Sequence, residues 1–556
     1  MAEIKRGKYN SIKDVVLSNT KMTEEDFLIP KSHYGINKLK EAAQMLKNAG
    51  ESHQMITIVG DYDVDGISAS SILALVFKKC GWDYRVRLPK RFSEGYGISD
   101  TIIDEIDNGL IITVDNGISA NEVVAKAKEK GLSVIVTDHH LPEATGSLPD
   151  ADIVIDPNAI SGSADFNSYC GAGIAYKLAQ EILGETDELM PKLLCLAAIA
   201  TVADVMPLVG ENRFIVKDGL KAITEKENRT LGLSALMDEC KFGKYVSAKN
   251  IAFKIAPMLN APGRLEDDGA MTSFSLLTSN SSTLEAMKNA SILSDFNEKR
   301  KLVKEESVKA LEQNMIDNCL FCEAPLIFYE PVIPEGLVGV LAGHFMEKYH
   351  VPCIVFTDSN DPKIIKGSAR SSDNINIKEL LDRHSDLIYK YGGHAGAAGI
   401  SLEKEKFYDF KDALVCELAG TEIATDENVY YDLVIDTSQI PETLEELEKF
   451  APFGEGNPEI VFYIKNFSVL GARYMQEGKS VRLTGGPANA VCFDMGQEYR
   501  DLGEPKVVNL IGTLTKNSFL NNISNQVEVQ AIIPITDKPK TTSMAELLAK
   551  MARERK

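Results

Sequence analysis

Three short apolar runs, at residues 55–59, 110–114 and 133–136, each end in acidic or histidine residues that a helical pattern follows. The clusters they end in are Asp61, Asp63 and Asp65 with Gly66, then Asp115-Asn116-Gly117, then Asp138-His139-His140. Short apolar runs bounded by turn residues read as buried strands, and strands alternating with helices build a parallel sheet with crossover helices. Further strands are predicted at 84–88 and 152–155. In such an α/β sheet the loops leaving the carboxyl ends of the strands share one edge. The topology therefore brings the three clusters together.

So many carboxylates at one strand end call for a cation. Asp61, Asp63, Asp65 and Gly66 stand where an EF-hand calcium loop has its first ligands, but that loop also needs a glutamate at its twelfth place. Counted from Asp61, that place is Ile72, which offers no oxygen. What precedes Asp61 also reads as strand, so a catalytic metal site fits better. Carboxylates and imidazoles from several loops suit a pair of Mn²⁺ or Mg²⁺ ions. Two such ions roughly 3.5–4 Å apart clamp an in-line displacement at phosphorus and ionise a water. Hydrolysis of a phosphoester or phosphoanhydride is the reaction class. Alone, Asp115 or Asp138 would be taken for a helix N-cap and Arg91 for a surface charge. The combination of separate motifs outweighs that plainer reading.

Composition narrows the partners. Sixty Lys and Arg against 81 Asp and Glu leave a net charge of -21, which excludes coating of duplex nucleic acid by bulk electrostatics. It leaves room for a local basic groove inside an acidic surface. Nine scattered cysteines and a polar stretch at 1–10 point to a reducing cytoplasm. Cys319 and Cys322 form a lone C-x-x-C with no second pair at zinc spacing and read as ordinary thiols. The apolar run 193–203 is about half the ~20 residues of a membrane span and runs into Asp204. It is predicted as a buried helix, and no membrane partner is expected.

With 556 residues the chain exceeds the ~250–300 at which single cores stop growing, so several domains are expected. Residues 1–50 read as an N-terminal helical segment, 51–225 as the α/β catalytic domain and 226–318 as a helical connector. The connector ends in a long charged helix over 282–318, with Ser282 and Glu285 as a capping box and Leu284, Met287, Ile292, Phe296 and Val303 as its apolar stripe. Residues 319–422 return to α/β. Residues 423–537 carry five or six short strands, at 429–435, 460–463, 480–483, 490–493, 507–513 and 527–535, which suits a small OB-like barrel. The basic tail 538–556 is expected to be mobile or weakly helical. Gly171-Ala172-Gly173 reads as a turn that admits close backbone approach.

Taken in order, Asp63-Val64-Asp65-Gly66, Val114-Asp115-Asn116-Gly117, Asp138-His139-His140 and the stretch from Thr201 through Asp204 to Pro207 resemble the successive motifs of the DHH phosphoesterases. Within that superfamily the chain is most similar to the bacterial single-strand-specific 5′→3′ exonucleases. Stretches 89–97, 263–264, 367–371, 392–399 and 452–458 extend the resemblance over nearly the whole chain. The implied architecture is a parallel-sheet DHH catalytic domain, a long connecting helix, a DHH-associated substrate-binding α/β domain and a C-terminal OB-like domain.

The resemblance implies that Asp63 binds the first metal, that Asp65, His139 and Asp204 bind the second, and that Asp115 bridges them. His140 would touch the scissile phosphate and Asp138 would orient the histidines. At Val59 the sequence departs from the many family members that carry a histidine ligand there. The first site is one ligand short, is expected to be the weaker, and Asp61 is expected to help it. For DNA the resemblance implies Arg91, Ser368 and Arg370 around the terminal phosphate, with Arg264 and the loop holding Gly392, Gly393 and His394 along the strand. Guanidinium forks and free backbone N–H groups fit phosphate oxygens.

The implied function is metal-dependent release of 5′-mononucleotides from single-stranded DNA in recombination and repair. The enzyme would be a monomer working with a helicase and a single-strand-binding protein. Two other readings stay open. An enzyme for short oligonucleotides, cyclic dinucleotides or pyrophosphate would leave the β-rich module idle. A non-catalytic DNA-binding scaffold would not need Asp63, Asp65, Asp115, His139 and Asp204 together.

Overall fold

The computed structural model describes residues 4–30, 34–142, 147–243, 245–318, 320, 323–371, 375–419, 428–519 and 522–535. The pair Cys319 and Cys322 and the tail 538–556 lie outside the described residues. The chain divides into two units, one of Thr23–Asp426 with Pro452–Asn457, the other of Met1–Met22, Glu427–Ala451 and Pro458–Lys556.

The first unit is built on a five-stranded sheet in the order Tyr84–Arg87, Ile56–Val59, Leu110–Val114, Ser133–Thr137, Ile153–Ile155. Every pairing is parallel, as the alternating strand and helix pattern predicts. Ile56–Val59 and Leu110–Val114 are buried at every residue because helices cover both faces. One face packs on helices Leu39–Glu51, Val64–Cys80, Gly171–Leu183 and Met190–Ala203, the other on Asp100–Asp104 and Asn121–Glu129. Val64–Cys80 is buried all the way from Val64 to Phe77, so its apolar residues need no single stripe. The apolar run before Asp204 is the buried helix Met190–Ala203.

A second sheet in the same unit runs Lys390–His394, Ala397–Glu403, Ile364–Arg370, Cys353–Asp358, Leu326–Tyr329. Ile364–Arg370 alternates: Ile365, Gly367 and Ala369 face a core with Phe356 and Phe410, while Lys366, Ser368 and Arg370 take the other face. A Cβ on Gly367 would lie 2.4 Å from the Phe356 ring, which explains glycine there. The glycine-rich stretch 392–399 is not a loop but a β-hairpin, whose strands pair Gly392 with Gly399.

The long helix is Thr283–Asp317, capped by Ser282, which accepts a hydrogen bond from the Glu285 N–H. Its buried seam differs from the predicted stripe. Leu284 and Met287 are 79% and 59% exposed, and Ala286, Ala290, Leu293 and Asn297 face inward. Short side chains let helices Leu231–Glu239 and Ala256–Leu265 pack close against it.

The other unit holds a seven-stranded sheet in the order Leu433–Asp436, Val461–Ser468, Val507–Phe519, Asn522–Pro534, Asn489–Cys492, Ser480–Thr484, Gly471–Met475. The strand predicted at 429–435 breaks at Asp432, whose carboxylate accepts from the Val461 N–H. Its first part, Val429–Tyr431, pairs in parallel with Ile4–Arg6, so residues 4–22 group with the C-terminal β-rich region and start with a strand. The hairpin of Val507–Phe519 and Asn522–Pro534 outruns the predicted strands because polar pairs such as Asn517 with Ser524 continue the ladder. No described helix is long and apolar enough to cross a membrane.

Candidate metal centre

At the carboxyl edge of the parallel sheet, Asp63 caps the helix Val64–Cys80, accepting from the N–H groups of Asp65 at 2.9 Å and Gly66 at 3.2 Å. The turn closes only around glycine, since a Cβ on Gly66 would stand 2.5 Å from the Asp61 nitrogen. Asp61 is buried beneath it, and its Oδ1 has no hydrogen-bond partner among the described residues. Asp65 accepts from the N–H groups of Gly171 and Ala172 at 2.6 and 2.7 Å. Gly171-Ala172-Gly173 is therefore the start of a helix whose positive end faces Asp65. The close approach read from its glycines is present, since a Cβ on Gly171 would lie 2.5 Å from the Asp115 Cβ.

Asp115 follows its strand in the left-handed region, at φ 63°. Such backbone in a residue other than glycine costs roughly 1–3 kcal/mol and is held by its surroundings. Here the Asp115 N–H donates to the Thr137 carbonyl, and the Tyr96 hydroxyl donates to the Asp115 carbonyl at 2.7 Å. Asn116 anchors the turn through its side-chain N–H bonds to the Val59 and Val114 carbonyls. His139 Nε2 lies 3.0 Å from an Asp115 oxygen and 3.6 Å from Asp65 and Asp204 oxygens. Asp204 ends the helix Met190–Ala203. Behind the histidines, buried Asp138 accepts from the N–H groups of His139 and His140 and from His140 Nδ1 at 2.7 Å.

Two groups of ligand atoms result, each within 4.8 Å: Asp61, Asp63 and Asp115, and Asp65, His139 and Asp204. Asp115 forms a third group with His139 and His140 and so stands between the first two. Val59 is buried in its strand, and Asp61 lies in one group with Asp63 and Asp115.

Burial raises Asp61, Asp63, Asp115 and Asp204 above the ordinary carboxylate range, and their mutual repulsion adds to it. Burial lowers His139, leaving a neutral imidazole able to ligate. Burial opposes charge on His140 as well, but the bond to Asp138 outweighs it and raises the group to about 9. Carboxylates crowded against their own repulsion, with the buried Asp61 oxygen unpartnered, fit divalent cations, and a donor set of oxygens with one or two imidazoles suits Mn²⁺ or Mg²⁺. Gly171→Ala tests this crowding. Its methyl group would displace Asp115, which is expected to cost roughly 1–3 kcal/mol of stability and to weaken Mn²⁺ binding measured by calorimetric titration.

Beside the metal centre the structure brings together four arginines. Arg91 lies over the Tyr62 ring at 4.4 Å, and the backbone that carries it is tied to Asp267. Arg264 donates to the Gly336 carbonyl at 3.0 Å. Burial lowers Arg264 to about 9, with Arg91, Arg300 and Arg370 adding repulsion and Asp63 attraction. Arg370 donates to the Ser368 hydroxyl at 2.8 Å, and a Cβ on Gly339 would lie 3.0 Å from its guanidinium. Among the described residues none of the four pairs with a carboxylate. Arg300 is missed by sequence reasoning because it sits in a helix dense with Lys and Glu. The one signal is Asn297, a polar residue in the buried seam, which accepts from the Arg300 guanidinium at 2.9 and 3.1 Å. Gly392, Gly393 and His394 lie on the edge strand, two strands from Ser368, with Gly399 paired to both Gly392 and Ser368.

A parallel sheet that gathers these ligands at its carboxyl edge, followed by a mixed α/β lobe, defines a phosphoesterase of the DHH class. The model of the DHH family, N-terminal domain, matches residues 55–201, that of the DHHA1 domain 324–419, and that of the RecJ OB domain 431–531. The single-stranded-DNA-specific exonuclease RecJ of Haemophilus influenzae is 33% identical over 560 residues, 94% of this chain and 95% of its own. That of Escherichia coli is 32% identical, over 90% of this chain and 91% of its own. The chain belongs to the RecJ family. The crystal structure of RecJ from Thermus thermophilus with Mn²⁺ matches with a TM-score of 0.76 at 26% identity, over 96% of this chain and 80% of that one. Its complex with Mg²⁺ matches at 0.71 and 25%.

Proposed function

We propose that this chain is a metal-dependent exonuclease that hydrolyses single-stranded DNA from the 5′ end to 5′-mononucleotides in recombination and repair. The observation that carries the reading is Asp115, grouped both with Asp61 and Asp63 and with His139 and His140, beside four arginines that form no ion pair among the described residues. The RecJ relatives named for single-stranded DNA and the Mn²⁺ and Mg²⁺ complexes of the Thermus protein support it.

In this reading Asp61 and Asp63 would hold one ion and Asp65, His139 and Asp204 the other, with Asp115 a ligand that both could share. Bound Mn²⁺ or Mg²⁺ would supply an ionised water and neutralise charge on the phosphate under attack. The chain does the rest. Arg91, Ser368 and Arg370 bind the terminal phosphate and so set which phosphodiester reaches the centre, and Arg264 beside them meets the strand that follows. Asp138 fixes both histidines, and His140 offers an N–H to an oxygen of the scissile phosphate, where negative charge grows. Gly392, Gly393 and His394 line an open strip of sheet along which the following nucleotides pass. The enzyme acts as a cytoplasmic monomer on strands that a helicase opens and a single-strand-binding protein covers.

The test is digestion of a long single strand, a blunt duplex and a dinucleotide in Mn²⁺. Mononucleotides from the single strand, with the duplex left intact, are expected. Hydrolysis of the dinucleotide alone would move the chain to the short-substrate class, and binding without cleavage would make it a scaffold.

A further inference from the structure

Tyr96 belongs to no ligand group, yet it touches the centre twice. Its hydroxyl donates to the Asp115 carbonyl at 2.7 Å and lies 3.1 Å from His140 Nδ1 and 3.5 Å from Nε2. Its ring meets the His140 ring edge-on, with centroids 5.6 Å apart at 81°. Tyr62 packs edge-on against it at 6.4 Å and carries Arg91 on its own ring.

The loop bearing Tyr96 is pinned at both ends. On one side the Glu94 carboxylate accepts from the Arg87 guanidinium and from the Lys90 N–H. On the other, Gly97 at φ 66° lies so close to Asn116 that a Cβ would stand 2.9 Å from the Asn116 Cβ, and Asn116 Oδ1 accepts from the Ile98 N–H. Nearly half of Tyr96 is exposed (49%), so burial alone does not account for its place. A phenol has one proton to give. Here it goes to the Asp115 carbonyl, which sets where the oxygen sits and leaves its lone pairs facing the His140 ring. Asp138 grips that ring at Nδ1 and the His139 ring packs against it at 4.3 Å and 49°, and the Tyr96 oxygen adds a further contact that sets its tilt.

We propose that Tyr96 is a positioning residue for the cleavage step: anchored on the Asp115 carbonyl, its hydroxyl fixes the tilt of His140 so that the imidazole meets the scissile phosphate. The role rests on the nuclease reading. It works through His140 and involves no contact between Tyr96 and DNA.

Tyr96→Phe keeps the ring and removes the oxygen, and a melting curve checks that the variant folds. On a 5′-phosphorylated single strand in Mn²⁺, kcat is expected to fall roughly ten- to a hundredfold while KM stays within about twofold. In a His140→Ala background, followed in single turnovers, the same change is expected to cost less than about threefold, because nothing remains to be positioned. Wild-type kcat in Tyr96→Phe, a rise in KM at unchanged kcat, or a full loss on top of His140→Ala would each overturn the role. An inactive wild-type chain would remove the nuclease reading itself, whereas an active wild type matched by the variant removes only the role of Tyr96.

Discussion

Asp115→Asn is expected to leave the chain folded and to lower hydrolysis of single-stranded DNA by about a thousandfold or more, ~4 kcal/mol of barrier. Asparagine adopts the left-handed region more readily than most residues, so φ 63° is no obstacle. The bonds that fix the turn run through the backbone N–H and carbonyl of residue 115 and survive the change. What is lost is the charge and one of two acceptor oxygens at the position grouped both with Asp61 and Asp63 and with His139 and His140. Steady-state turnover in Mn²⁺, with a melting curve beside it, checks the claim. Turnover within tenfold of wild type would show that Asp115 does not bridge.

The second large effect is on stability without metal. In chelator, the melting temperature is expected to fall as pH rises from 6.5 to 9. The folded Asp204 titrates well above the carboxylate range, so its stabilising contribution is whole below about pH 4 and is lost as pH climbs toward the folded value. His140, raised from 6.5 to about 9, loses its contribution in the same direction across this window. His139 is shifted the opposite way, so it opposes the trend at the start of the window, but its change is over within about one pH unit above 6.5, where the unfolded imidazole titrates. With His140 44% exposed and partly screened, its share is about 1–2 kcal/mol. Saturating Mn²⁺ is expected to raise the melting temperature throughout and to flatten or reverse the slope, because the cation takes the place of the protons. Asp115→Asn in chelator is expected to melt higher than wild type, having one buried carboxyl fewer to hold protonated as pH rises. A melting temperature that rises with pH in chelator would contradict this electrostatic account.

Much of the first unit was legible because its signals are local. Apolar runs of strand length ending in Asp61, Asp115 and Asp138 state both the sheet and the edge at which ligands gather, and the helix into Asp204 reads directly from its apolar run. Gly171 was readable as a close approach, although not as a helix start, since glycine marks small space without saying what fills it.

What stayed hidden depends on contacts far apart in sequence. Nothing in Ile4–Arg6 announces pairing with Val429–Tyr431. The hairpin around Gly392 and Gly399 reads as a loop because glycine disfavours strands unless the sheet needs a bare surface. Arg300 is masked by the charged helix around it, and Tyr96 sits in a loop with no periodicity to show that its hydroxyl reaches Asp115.

The account turns on which end of a strand enters first. The most direct measurement is digestion in Mn²⁺ of one single strand labelled in turn at its 5′ and 3′ ends, sampled within the first turnovers. The account predicts that the 5′ label appears at once as a mononucleotide while the 3′ label stays on long fragments that shorten with time. Release of the 3′ label first, or of internal fragments from both, would contradict it.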